Sequence, residues 1–301
     1  MNANRTSLRA FLLLGLVMLF WAGNSIVGRA VRDDIPPFTL AFGRWLIALI
    51  VLLPFALPLL RREWRTAVKG AGWILLLGFV GIACFNALLY KGLHYSTAAN
   101  ALLLQAAIPS LVLLLDFALF RVRVPRLQVA GVALSTLGVV VIVFRADLAA
   151  LLQLRLGMGE LLIFCAVAAW AAYTVLLRKR PEVSLALFVM LTFAIGTIAM
   201  APLAAMEAAA GQHVRWSWPV IAAFAYVGIF PSALAYFIYN RATAELGAAR
   251  AGQAITLMPL FGAILSALLL GETLHGYHFA GMAMILAGIV LSMLANRQQA
   301  R

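Results

Sequence analysis

An internal repeat constrains this chain more than any other feature. Residues 98–141 align without a gap with residues 248–291, which stand 150 positions later. The matched pairs are Ala98/Ala248, Ala99/Ala249, Pro109/Pro259, Leu115/Leu265, Gly131/Gly281, Ala133/Ala283 and Gly138/Gly288. Two apolar segments and the short loop between them have been duplicated, and the fold has to accommodate both copies.

The composition predicts that the chain lies in a lipid bilayer. Hydrophobic residues make up 65% of the 301 residues and charged residues only 11%, whereas a soluble domain carries roughly 25% charged residues. The net charge of +13 does not indicate nucleic-acid binding here. In so apolar a chain, Lys and Arg are expected in loops that face anionic headgroups.

Ten apolar runs are long enough to cross a membrane, which takes about 20 residues. The runs are continuous rather than alternating, which indicates helices and not a barrel. The predicted spans are residues 9–29, 37–58, 71–92, 96–120, 125–144, 157–177, 184–206, 216–239, 247–270 and 276–295. We expect an all-α integral membrane protein of ten transmembrane helices, with antiparallel neighbours joined by short loops.

Five spans fall in each copy, so the second copy enters the membrane upside down relative to the first. We predict repeat units at residues 1–145 and 146–301 around a central cavity. The loop of copy one carries Arg121, Arg123 and Arg126, while the matching loop at 271–278 has no Lys or Arg. The opening spans match less closely, for example residues 79–82 with residues 226–229.

The distribution of Lys and Arg predicts the orientation. With the N-terminus inside, sixteen of these residues fall on one side of the membrane and six on the other. We therefore predict that both termini lie in the cytoplasm. The expected location is a bacterial inner membrane.

Several short motifs make the chain resemble EamA-type permeases of the drug/metabolite transporter superfamily. These motifs are Trp21-Ala22-Gly23-Asn24, Gly159-Glu160-Leu161-Leu162 leading into Ala169-Trp170, Gly271-Glu272-Thr273, and Gly281 with Gly288. Copy one departs from the pattern, because Arg121-Val122-Arg123 stand where copy two has the Gly-Glu-Thr motif. The resemblance implies peripheral fifth and tenth spans. It also implies metabolite export, with amino acids as substrates, as in the YddG-like exporters of aromatic amino acids.

Polar and aromatic residues inside the spans mark a candidate substrate-binding site, because a polar group that faces lipid is costly. Trp21 and Asn24 share a helix face at i, i+3, and Trp170 and Tyr173 repeat this pattern in copy two. The predicted substrate-binding residues are Trp21, Asn24, Asn86, Tyr90, Gln105, Trp170, Tyr173, Tyr236, Tyr239 and Gln253. Interhelical hydrogen bonds and interface anchors are the alternative explanation.

Four further residues stand out inside the spans. Pro109 and Pro259 interrupt the fourth and ninth spans, where we predict hinges, with static kinks as the alternative. Arg44 lies ~10 Å inside its span, where it either binds a substrate carboxylate or extends to the surface. For Asp116, pairing with Arg121 or Arg123 is favoured over a role as proton carrier.

The predicted function is secondary transport of a small organic metabolite by alternating access. The chain lacks the phosphate-binding motif of ATP-driven transporters. Aromatic and neutral amino acids are the favoured substrates, and efflux of lipophilic cations is the alternative. We expect no enzymatic activity, cofactor, metal or nucleic-acid partner, and a monomer whose partners are a small-molecule substrate and the lipid bilayer.

Overall fold

The chain is described by a computed structural model over residues 2–31, 33–95, 104–144, 157–270 and 273–299. Every regular element in these ranges is helical, which confirms the predicted all-α fold. Eight helical segments in these ranges are long and apolar enough to cross a membrane, and two shorter apolar ones are Ile108–Phe120 and Gly276–Ser292. Large apolar side chains such as Leu12, Ile198 and Leu268 are exposed, as expected of surfaces that face lipid.

The helices follow the order of the predicted spans. They are α1 (Asn2–Ala30), α2 (Pro37–Lys69), α3 (Ala71–Gly78), α4 (Phe85–Tyr95), α5 (Ile108–Phe120), α6 (Arg126–Val143), α7 (Met158–Leu176), α8 (Leu185–Ala209), α9 (Trp218–Gly228), α10 (Ala235–Leu246), α11 (Ala248–Ala254), α12 (Leu257–Leu270) and α13 (Gly276–Gln299). The third, eighth and ninth spans each consist of two helices. Residues 96–103 of the predicted fourth span, and Gly271 and Glu272 of the family motif, lie outside the described residues.

A π-helical turn joins the two helices of the third span and again those of the eighth. The first π turn is Phe79–Cys84 and the second is Ile229–Leu234. The 150-residue register of the repeat therefore continues into these spans, and the match of residues 79–82 with 226–229 is wrong by three positions. A π turn shifts the helical hydrogen-bond pattern locally, which similarity between short apolar motifs does not reveal.

The helix–helix contacts follow the repeat: when two helices pack against each other, their counterparts in the other copy do so as well. In copy one, α1 packs against α10 and α12 of copy two, and α7 of copy two packs against α4 and α5 of copy one. The helices α2 and α8, which correspond in the repeat, pack against each other, and so do α6 and α13. A pseudo-two-fold axis between two intertwined repeats produces this pattern.

Four glycines bring α6 and α13 close together. A Cβ atom added to Gly131 would lie 2.5 Å from the Gly288 carbonyl oxygen, and one added to Gly138 would lie 2.6 Å from the Gly281 oxygen. The start of α6 thus lies beside the later part of α13, so the two helices run antiparallel. The loops that precede them, which correspond in the repeat, lie at opposite ends of the bundle, as the inverted arrangement requires.

Two glutamates connect α2 to α8 at both ends of these helices. Near the end of α8, Glu207 accepts the N–H groups of Phe38 (2.8 Å) and Thr39 (2.7 Å) at the start of α2. Near the end of α2, Glu63 accepts the N–H of Ser184 (2.6 Å), just before α8. A carboxylate at a helix N-terminus satisfies free N–H groups and the positive end of the helix dipole. The two caps hold the central helices in register.

Asp116 forms an ion pair between the two copies. Its carboxylate bonds to the guanidinium of Arg178, just after α7, so the predicted pairing with Arg121 or Arg123 is wrong. Helix α5 packs against α7, which brings these two side chains together. The chain instead leaves α5 through Arg121 in a left-handed conformation with φ of 56°.

The close contact between the glycines of α6 and α13 leads to a prediction about stability. We expect Gly288→Ala to lower the free energy of unfolding by about 1–3 kcal/mol, because the added methyl group would push α6 and α13 apart. The measurement is thermal unfolding in detergent. Gly262→Ala is the matched control, since a Cβ atom there meets nothing within 4 Å. If both variants melted like the wild type, the close contact between these helices would be contradicted.

Candidate substrate-binding site

Eight aromatic rings meet at the centre of the bundle. We call them the ring cluster, and its members are Trp21, Trp45, Phe85, Trp170, Tyr173, Phe193, Tyr236 and Tyr239. At its middle, Trp21 of copy one meets Trp170 of copy two, with ring centroids 5.2 Å apart and planes at 83°. Tyr236 and Tyr239 each contact both indoles. Side chains from both repeats thus build the cluster.

The ring cluster closes the centre of the bundle in this conformation. Trp21 is 8% exposed and Trp170 is 3% exposed. An edge-to-face contact at their separation leaves no space for a solute between the two indoles. Because aromatic edges and faces attract one another, the two stripes that the sequence predicts to line a cavity pack together when nothing lies between them.

The two central indoles differ in their hydrogen bonding. The N–H of Trp21 donates to the carbonyl oxygen of Pro231 at 2.9 Å, in the second π turn. The N–H of Trp170 is buried and forms no hydrogen bond of normal geometry with the described residues, although it lies close to the Tyr239 hydroxyl. Since most buried polar groups are paired, this N–H is a donor that a bound solute can use.

Hydrogen bonds between α7 and α10 hold the tyrosines of the ring cluster in place. The Tyr173 hydroxyl donates to Asn240 Oδ1 at 2.8 Å, and the Asn240 amide donates to the Tyr236 carbonyl at 2.7 Å. The hydroxyls of Thr174 and Tyr239 share a hydrogen bond of 2.9 Å. All five residues belong to copy two, so these bonds make one wall of the site rigid.

Arg44 enters the same region from α2. Its Nε donates to the Ser232 hydroxyl at 2.6 Å and its Nη2 to the Pro231 carbonyl at 3.4 Å. The guanidinium carbon lies 4.5 Å from the Trp45 ring centroid. With only 6% of its surface exposed, Arg44 does not extend to the surface, which removes one of the two sequence-based alternatives.

The repeat, the ten helical spans and the inverted packing agree with a known family. A model of the EamA-like transporter family matches residues 8–144 and again residues 157–294. The chain belongs to the EamA-like transporter family. Its two matches coincide with the two halves that the pseudo-two-fold axis relates.

Relatives in the EamA-like transporter family match nearly the whole chain. An "uncharacterized transporter" of Archaeoglobus fulgidus is 30% identical over 299 residues, covering 96% of this chain and 99% of the relative. The "uncharacterized transporter YetK" of Bacillus subtilis is 26% identical over 295 residues, covering 96% and 88%. A "probable amino-acid metabolite efflux pump" of Salmonella typhimurium is 27% identical over 298 residues, covering 94% of each chain.

A solved crystal structure has the same fold. It superposes with a TM-score of 0.77 at 19% sequence identity, and the match covers 96% of this chain and 98% of the other. At that identity the likeness concerns the fold alone. The chain is thus a multi-pass membrane protein with the EamA-type fold.

The structure brings seven of the ten predicted site residues to one region. Five of them, Trp21, Trp170, Tyr173, Tyr236 and Tyr239, belong to the ring cluster. Two residues of α4, Asn86 and Tyr90, act electrostatically on the Tyr236 hydroxyl. Asn86 is also buried and donates to the Ile82 carbonyl at 2.6 Å in the first π turn. Asn24 is half-buried on α1, outside the ring cluster.

The two predicted glutamines lie at the breaks in the fourth and ninth spans. Gln105 lines a cavity of about 10 Å³ together with Thr256 and Pro259, which is room for no more than about one water molecule. Gln253 donates to the Gly288 carbonyl at 3.2 Å and so connects α11 to α13. The interhelical hydrogen bond that the sequence left open as an alternative is therefore present at Gln253.

Each predicted hinge proline lies just after a break in its span. Pro109 is in the first turn of α5 and Pro259 in the first turn of α12, where a residue without an N–H group is well tolerated. Residues 106–107 and 255–256 form turns just before them. The structure thus has discontinuous helices where the sequence predicts kinks or hinges, and motion at these positions stays a prediction.

Sequence reasoning missed several residues of the site. They are Trp45, Phe85, Phe193, Ser232 and Asn240. The register of 150 residues could have found Asn240, because it pairs Asn86 and Tyr90 with Tyr236 and Asn240. The same two residue types thus recur four positions apart in exchanged order. For Trp45, Phe85 and Phe193 there was no such signal, since apolar rings in an apolar span are unremarkable in sequence.

The hydrogen bond between Tyr173 and Asn240 leads to a prediction about how much this wall of the site contributes to stability. We expect Tyr173→Phe to lower the free energy of unfolding by about 1–3 kcal/mol, because it leaves a buried amide oxygen unpaired. In the double variant with Asn240→Leu, the loss should be smaller than the sum of the single losses. Thermal unfolding in detergent measures both. Tyr277→Phe is the control and should leave the free energy of unfolding nearly unchanged. If Tyr173→Phe had as small an effect, the bond between Tyr173 and Asn240 would be contradicted.

Proposed function

We propose that this EamA-family protein is a secondary transporter that exports amino acids, first of all aromatic and neutral ones, from a bacterial cell. The observation that carries the proposal is the contact between Trp21 and Trp170, which come from opposite repeats. Indole and phenol rings bind aromatic and aliphatic side chains and attract ammonium groups. The relative named as an amino-acid metabolite efflux pump adds support.

The proposed mechanism is alternating access by rocking of the two repeats about the ring cluster. A solute enters when the repeats tilt so that Trp21 and Trp170 separate toward one side of the membrane. It then lies between the indoles and bonds to the N–H of Trp170. The tyrosines close the ends of the site, and Asn24, Asn86, Gln105 and Gln253 are proposed partners for the ammonium and carboxylate groups.

For the orientation, we propose an inner-membrane location with both termini in the cytoplasm. The cytoplasmic end then holds the ion pair of Asp116 with Arg178. The opposite end holds the bond of 2.9 Å from the Arg215 N–H to the Asp34 carbonyl. Repeat units at residues 1–145 and 146–301 remain part of the proposal, and so does a monomeric state.

Efflux of lipophilic cations, the alternative function, predicts an acid that faces the ring cluster. The buried acids in the described part of the chain are Asp116, Glu160 and Glu207, and each is bonded elsewhere. The ring cluster instead has a buried cation beside it, Arg44, which would repel a positively charged solute. The amino-acid function is therefore favoured.

The test is flux in proteoliposomes with a panel of amino acids, with and without a pH gradient. We expect at least one aromatic or neutral amino acid to be transported. Replacing Trp21 or Trp170 by alanine should reduce its flux about tenfold or more, because each change removes one ring wall. Folding is checked by gel filtration and thermal unfolding.

Trp64→Ala is the matched control, since Trp64 is 55% exposed on α2 and lies outside the ring cluster. It should transport like the wild type. If the panel gave no flux, the proposed function would be wrong. If Trp21→Ala and Trp170→Ala both kept full flux, the ring cluster would not be the site.

A further inference from the structure

Arg44 is a buried cation whose contacts with the described residues are all neutral. Within the described residues it bonds to the Ser232 hydroxyl and the Pro231 carbonyl and lies against the Trp45 ring. A guanidinium away from water without a counter-ion is costly. A carboxylate brought in by a ligand would offset that cost.

The buried acids of the described ranges do not provide this counter-ion. Asp116 pairs with Arg178 near one end of the bundle. Glu207 caps the start of α2, and Glu160 accepts the Gly157 N–H at 2.9 Å. The buried acids of the described residues are therefore all engaged away from Arg44.

The second π turn holds the guanidinium by one edge. The Ser232 hydroxyl donates its proton to the Val227 carbonyl at 2.7 Å, so its oxygen is left to accept from Arg44 Nε. The Pro231 carbonyl accepts from both Arg44 and Trp21, which fixes the guanidinium relative to the central indoles. Nη1 forms no hydrogen bond with the described residues, so this nitrogen is available to a ligand.

The cation is present on one side of the pseudo-two-fold axis only. The glycines before the two π turns face equivalent isoleucines, Gly78 with Ile195 and Gly228 with Ile47. This places Thr192 at the position in α8 that corresponds to Arg44 in α2. The Thr192 hydroxyl is neutral and donates to its own helix at the Val189 carbonyl, 2.9 Å. The site thus carries a positive charge on one side only of the axis within the described residues. This arrangement matches a solute with one negatively charged end.

We propose that Arg44 binds the carboxylate of the transported solute. The ring cluster receives the ammonium group and the side chain, because the Arg44 guanidinium lies against Trp45, and Trp45 contacts Tyr236. Arginine binds carboxylates with short, charge-assisted hydrogen bonds. The inference rests on the proposed function and narrows it, since every substrate must carry a free carboxylate.

The experiment compares flux of L-phenylalanine with flux of L-phenylalaninamide in proteoliposomes. The wild type should move the acid about tenfold faster than the amide or more, since a hydrogen bond to a charged group is lost. Arg44→Gln should lower flux of the acid by a similar factor, and it should not lower flux of the amide, whose positive charge Arg44 repels. Arg44→Lys keeps the charge and should be intermediate, and Thr192→Val, at the corresponding position, should behave like the wild type.

Three results would overturn the inference while leaving transport in place. They are equal wild-type flux of acid and amide, an acid preference retained in Arg44→Gln, and equal loss of both fluxes in that variant. If Arg44→Gln does not fold, equal wild-type flux of acid and amide still overturns the inference, and Arg44→Lys tests the role of Arg44. If the wild type moved neither probe nor any amino acid of the panel, the proposed function would fail, and this inference with it.

Discussion

The contact between Trp21 and Trp170 joins the two repeats at the middle of the ring cluster. In a bilayer, burial of apolar surface does not drive helices together, because lipid is as apolar as the helix surface. Helices associate instead through close packing and hydrogen bonds. The ring cluster provides such packing at the centre, and the glycine contact of α6 with α13 provides it at the side. Other helices are positioned by polar contacts, such as the glutamate caps between α2 and α8.

The same contact explains how the protein can have a closed centre in this conformation and still transport a solute in the proposed cycle. Rings held by dispersion and edge-to-face attraction separate at modest cost, and a solute that stacks between them replaces the lost contacts. The wall built by α7 and α10 is fixed by the bonds of Tyr173 and Thr174, and Trp21 faces this wall from copy one with its N–H on the Pro231 carbonyl.

Much of this architecture could be predicted from the sequence, because the duplicated segments carry their register with them. The number of spans, the inversion and five members of the ring cluster follow from the repeat and from polar stripes on the helices. The sequence did not predict the π turns, the ion pair of Asp116 with Arg178 or the place of Trp45 in the ring cluster. Each depends on which helices meet across the bundle, and a single sequence does not specify that.

The symmetric backbone carries an asymmetric set of side chains. Arg44 corresponds to Thr192, and the pair Asn86 and Tyr90 corresponds to the reversed pair Tyr236 and Asn240. Asymmetry of this kind gives the site a direction, while the symmetry of the backbone gives the two ends of the bundle equivalent ways to open. A carrier for solutes with one carboxylate needs both properties.

The most direct test of this account measures distances at both ends of one molecule. Spin labels at Arg123 and Glu245 report on one end, and labels at the corresponding positions Thr273 and Tyr95 report on the other. All four side chains are exposed. In a variant without native cysteines, pulsed dipolar spectroscopy with and without L-phenylalanine should show one distance growing while the other shrinks. Distances that stayed fixed, or that changed in the same direction, would contradict rocking of the repeats about the ring cluster.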